Sequence, residues 1–141
     1  MPRASASREL LASRADVWAF IAEPHHFPDW WPGIAAVQPD RRGLAEGARW
    51  HVQGSDRPTL FRRATSSGML LVRAVWPLER FAWTLTGDHL DADLRLEASG
   101  KEDRTIVVLD LEAPWLFGLS RALPRRALTR LHALCQTAAE L

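Results

Sequence analysis

Tyrosine is absent from this chain, and cysteine and lysine occur once each, at Cys135 and Lys101. Without tyrosine, no phenol can serve as a general acid or an oxyanion donor. One thiol excludes an internal disulfide and suits a reducing compartment, so a cytoplasmic location is expected. No apolar run approaches the ~18 residues that cross a bilayer, which argues against integral membrane association. The first ten residues carry arginine and serine but no apolar stretch of the kind a secretory signal needs. The formal net charge is only +1, too weak a field to call for nucleic acid as a partner. Glycine-rich phosphate loops, H-E-x-x-H, paired cysteines and a G-x-S-x-G elbow are all missing. No nucleotide cofactor, no metal and no serine-hydrolase chemistry is therefore expected.

Against these absences stand seven tryptophans in 141 residues, a length that fits one domain over 1–141. The densest information lies in Ser13 to Gly33. Ser13 can cap a helix beginning at Arg14, and Asp16 adds negative charge to its first turn. Val17, Phe20 and Ile21 recur at helical spacing and give it one apolar face. Pro24 ends or restarts that helix, and Pro28 limits the next helical segment to a turn or two. Trp30 and Trp31 then present large rigid surfaces before Pro32-Gly33 reverses the chain. Two short helices ending in paired aromatics predict a lid.

Beyond the lid the period changes to two. Leu90, Ala92, Leu94, Leu96 and Ala98 alternate with Asp91, Asp93, Arg95 and Glu97, which predicts a half-buried antiparallel strand. After a turn at Gly100 to Asp103, Thr105, Val107, Leu109 and Leu111 should face the same core. Phe81, Trp83 and Leu85 belong to a preceding strand, and Leu70, Val72, Ala74 and Trp76 are expected to share a face opposite Arg73. Weaker signals place strands over about 4–10, 34–39 and 48–53, while 59–65 is ambiguous between a strand and half of a bent one. From Trp115 the period is helical again. Leu116, Leu119, Leu123, Ala127, Leu131, Leu134 and Ala138 form a stripe, with a kink or restart expected at Pro124.

This order, together with VWAFIAEPHHFPDWWPG, resembles the START-like or SRPBCC superfamily. The branch it is most similar to is the polyketide cyclase/dehydrase type. Gly47-Ala48-Arg49-Trp50, Trp76-Pro77-Leu78-Glu79-Arg80-Phe81-Ala82-Trp83 and Pro114-Trp115 extend the resemblance over essentially the whole chain. It implies an α+β helix-grip fold: a curved antiparallel β-sheet around a long C-terminal α-helix, with two short lid helices after strand 1. It also implies a hollow between sheet and helix, lined by Trp30, Trp31, Trp50, Phe61, Phe81, Trp83, Leu94, Leu96, Val107, Leu123 and Leu131. Seven indoles in a small domain are hard to pack without gaps, which favours such a cavity over a solid core.

Four polar residues are candidates for the cavity or its mouth. His25 and His26 start the second lid helix, but neighbours on a helix diverge by ~100° and cannot easily share one ion. Asp29 either ties the lid turn or acts as a pocket base. His51 lies beside Trp50, so it enters the cavity only if Trp50 points outward. The expected partner is a small hydrophobic molecule, aromatic, polyketide-like or lipid-like. A cyclase or dehydratase acting on such a molecule, and an interaction module without a ligand, are the alternatives.

Overall fold

The Ser13 backbone is extended, and its Oγ accepts the Asp16 N–H at 3.2 Å. That cap stops a first strand, β1 (Arg3–Leu10), from running on and starts α1 (Arg14–Ala22). At the other end of α1 the Glu23 carboxylate accepts the His25 N–H at 3.2 Å. A single 3-10 turn (Pro24–His26) and the four-residue α2 (Phe27–Trp30) come next, each with proline in its first positions, where a missing N–H costs nothing. Gly33, at φ +85°, then turns the chain into the sheet.

The remaining elements are β2 (Ile34–Gln38), β3 (Arg49–Gly54), β4 (Ser67–Trp76), β5 (Arg80–Leu85), β6 (Leu90–Ala98), β7 (Thr105–Glu112) and α3 (Leu123–Glu140). The computed structural model describes residues 3–54, 67–87, 89–113 and 121–140. Phe61, the 59–65 segment, Trp115, Leu116 and Leu119 lie outside the described residues. The seven strands form one curved antiparallel sheet in the order β1-β7-β6-β5-β4-β3-β2. α3 packs on β1 and β7 and against α2, and α2 also touches β2. The helix-grip architecture expected from the sequence is the one observed. Among the described residues, no helix is long and apolar enough to cross a membrane.

The alternation of β6 and β7 matches the expectation. Leu94 and Val107 are fully buried on the inner face. Asp93 and Asp110 point outward, where Asp93 accepts two bonds from Arg80 Nε and Nη2, and Asp110 accepts from Arg95 Nη2 at 3.0 Å and from Ser5 Oγ. The Asp93 carboxylate holds the Arg80 guanidinium above its ordinary pKa. Thr105 is the exception on the inner face: its hydroxyl donates to the Ala12 carbonyl at 2.8 Å, tying β7 to the start of α1.

Two expectations change. Trp76 does not share the inner face with Leu70 and Val72. The pairing of β4 with β5 slips between Val72 and Ala74, so Arg73 is the extra residue of a bulge. Beyond it the faces exchange: Val75 packs on the core, and Trp76 stands 54% exposed with the Arg80 guanidinium 5.0 Å from its ring. Arg73 turns its Nη2 to the Trp83 and Ala92 carbonyls at 3.3 and 3.0 Å. The stripe of α3 is also rotated. Ala127, Leu128, Leu131 and Cys135 are its buried centre, while Leu123 and Leu134 lie at its flanks. Pro124 sits in the first turn of α3, where its missing N–H leaves no helical bond unmade.

Candidate functional site

Six aromatic side chains meet beneath α2. Phe27, Trp30 and Trp31 come down from α2 and the residue after it; Trp50 rises from β3, and Phe81 and Trp83 from β5. Phe27 is the hub: its ring centroid lies 5.0, 5.7, 6.2 and 5.6 Å from those of Trp30, Trp31, Trp50 and Trp83. Trp83 is edge-to-face with Trp30 and with Trp31, at 5.9 and 5.3 Å. The rings are mostly edge-to-face or tilted, arrangements that place a positive ring edge against a negative face. None of the six is more than 2% exposed.

Most of the residues the sequence assigned to a hollow belong to this buried cluster, where the rings pack directly against one another. Trp30, Trp31, Trp50, Phe81 and Trp83 form it, and Leu94, Leu96, Val107 and Leu131 are buried in the same apolar cluster, with Leu123 packed at its border. Phe27 is the member that sequence reasoning missed. It falls between a histidine and a proline in a helix of four residues, too short for any periodicity to mark it.

The indole nitrogens fare differently. Trp50 Nε1 donates to the Gly43 carbonyl at 2.8 Å, which fixes the ring against the loop before β3. Trp30 Nε1 and Trp83 Nε1 are buried with no hydrogen-bond partner among the described residues.

The polar candidates separate from one another. With Trp50 inward, His51 and Arg49 lie exposed on the outer face, where His51 borders a shallow depression of about 510 Å³ with Asp40 and Met69. Asp40 accepts the Arg49 and Arg42 backbone N–H groups at 2.9 Å each, and the Arg49 bond is the main cause of its lowered pKa. Asp29 and His25 are exposed as well. His26 is half-buried, stacked on Phe20 with centroids 4.3 Å apart, and its Nδ1 lies 3.0 Å from the Phe20 carbonyl oxygen. A carbonyl can only accept, so Nδ1 carries the proton of this contact.

His26 also lines an open crevice of about 820 Å³ between the start of α1, the turn joining β6 to β7, and α3. Leu11, Ala12, Ala19 and Phe20 supply its apolar wall; Asp16, Glu102 and Asp103 rim it; and Cys135 closes it from α3. Burial, with a smaller push from Asp16, raises the Cys135 thiol to about 11. It is therefore protonated at neutral pH and a poor nucleophile. Crevice and aromatic cluster meet at one step of the chain: His26 belongs to the first and Phe27 is the hub of the second. Among the described residues, the cluster itself holds no acid or base.

A curved antiparallel sheet closed by a lid and a long helix, with an aromatic interior, defines a class of small helix-grip domains. The chain belongs to the polyketide cyclase / dehydrase and lipid transport family, whose model matches residues 1–136. No curated protein matches its sequence. Among solved structures it is similar to the protein XoxI from Bacillus cereus, at 14% identity and a TM-score of 0.74, with 99% of each chain covered. It is also similar to Ara h 8.0201, at 10% identity and a TM-score of 0.67, covering 96% of this chain and 98% of that one. A third likeness is to DynU16, a putative protein in the dynemicin biosynthetic locus. There the identity is 16% and the TM-score 0.64, with 96% of this chain and 48% of that one covered. At these identities the structural likenesses speak for the fold.

Proposed function

We propose that this protein binds a small hydrophobic molecule, aromatic or polyketide- or lipid-like, in a chamber that opens among the aromatic rings beneath α2. The observation that supports the reading is the aromatic cluster: six rings from lid and sheet, none more than 2% exposed, including two indole donors with no hydrogen-bond partner among the described residues. Apolar walls with a few unused polar groups are the composition of small-molecule sites. The crevice beside His26 is the mouth in this reading, and α2, four residues long with Pro28 in its first turn, is the gate. Family membership supports a hydrophobic ligand. Binding is preferred to catalysis because proton transfer needs a group within hydrogen-bond reach of the reacting atom, and the described chamber offers only N–H donors. A reducing compartment such as the cytosol suits a chain whose one thiol is buried and protonated.

The test is a titration of the native protein with a neutral naphthalene-based fluorescent probe, together with native mass spectrometry of freshly purified material. Saturable binding near one probe per chain, with a change in tryptophan emission, is expected. Absence of both probe binding and any co-purifying molecule would refute the reading.

A further inference from the structure

The Trp30 and Trp83 indoles are fully buried, yet each keeps an N–H with no acceptor among the described residues. A buried donor without an acceptor costs free energy comparable to a lost hydrogen bond, and native proteins seldom leave one unused. The neighbouring Trp50 shows the ordinary solution, a backbone carbonyl at 2.8 Å. The two orphaned donors are not scattered. They belong to rings in edge-to-face contact, 5.9 Å between centroids and 88° between planes, one on the lid helix α2 and the other on β5 of the sheet.

We infer that the bound molecule carries a neutral acceptor oxygen, of the carbonyl class, inside an otherwise apolar body, and that Trp30 Nε1 and Trp83 Nε1 donate to it. The inference rests on the reading that the chamber holds the ligand, and it goes further by naming what selects that ligand. A pure hydrocarbon leaves both donors unused, whereas a ketone satisfies at least one of them. One donor comes from the lid and one from the sheet, so an oxygen bonded to both also holds the lid shut. The two tryptophans are thus specificity-determining residues as well as walls.

The experiment uses a matched pair of bicyclic probes, tetralin and 1-tetralone, which differ by one carbonyl oxygen. Affinities are measured by calorimetry on the wild-type protein, on Trp30→Phe and on Trp83→Phe, each checked for folding by circular dichroism. Phenylalanine keeps a ring and removes the N–H. The expected result is that at least one substitution weakens 1-tetralone about five- to tenfold, as for loss of one hydrogen bond, and shifts tetralin less than twofold. A second measurement needs no variant: in ¹⁵N-labelled wild-type protein, the Trp30 or Trp83 indole N–H resonance moves downfield with 1-tetralone and not with tetralin. If both probes bind and neither the substitutions nor the resonances tell them apart, the donors are satisfied by neighbouring ring faces or by water. The inference then falls while the binding reading stands. If neither probe binds, both fall.

Discussion

Removing the hub of the aromatic cluster is the sharpest perturbation the structure offers. Phe27 is 2% exposed and its ring touches four indoles that arrive from three different elements. Phe27→Ala deletes the ring while leaving those indoles anchored elsewhere: Trp50 by its bond to Gly43, and Trp83 by the β5 ladder to β4 and β6. A site that cannot collapse lies at the costly end for such a change, so about 4 kcal/mol of stability should be lost, within the usual ~3–5 for phenylalanine to alanine. That is a large share of the ~5–15 kcal/mol that holds a domain together. Urea denaturation followed by tryptophan emission measures it, and no tyrosine complicates the signal. The void left behind is apolar, the kind that stays dry and accepts benzene. Saturating benzene should therefore raise the midpoint of Phe27→Ala by more than it raises that of the wild type. A loss below about 2 kcal/mol, or a variant that benzene does not rescue, would mean the indoles close over the gap and Phe27 is not their keystone.

Three further outcomes rest on single contacts. Ser13→Ala removes the α1 cap and should cost about 1 kcal/mol by urea denaturation, whereas Ser13→Asp should cost little. Trp76→Ala should cost no more than about 1 kcal/mol, the worth of an exposed cation–π contact, against ~3–5 for Trp83→Ala; equal losses would put the β4 bulge in the wrong place. The Cys135 thiol is raised from 9.0 to about 11 on folding, so its neutral form is favoured in the native state. Its contribution is complete below pH 9 and disappears as pH rises through 11, because the unfolded chain ionises first. The stability difference between wild type and Cys135→Ala should accordingly shrink by about 2 kcal/mol across that window.

The sequence revealed those elements whose burial is periodic. β6 and β7 alternate cleanly because one face is core and the other carries the Arg80–Asp93 and Arg95–Asp110 pairs. The α1 cap was legible because its signal is local, one hydroxyl three residues from one amide. The features that stayed hidden depend on partners far along the chain. Arg73 looks like any outward polar residue, and only the pairing of β4 with β5 shows that it is one residue too many. Leu128 and Cys135 take the centre of the α3 stripe because that helix lies against β1 and β7, a direction its own sequence does not encode. The crevice joins residues 11–26 to Glu102, Asp103 and Cys135, and no spacing rule links such distant positions.

The sheet order also sets a timetable for synthesis. Among the described residues, β1 pairs only with β7, Arg3 against Glu112 through Leu10 against Thr105. At ~5–20 residues per second on a ribosome, the first strand waits on the order of 5–20 s for its partner to be made. Trp30 and Trp31 emerge early too, well before Trp83 exists to receive them. During that interval the most aromatic part of the chain has no sheet to cover it, so pairings this distant are expected to make folding slow. A nascent chain of this kind is a natural client for holding chaperones, and substitutions in β7 should lower its yield in cells more than their effect on the finished fold would suggest.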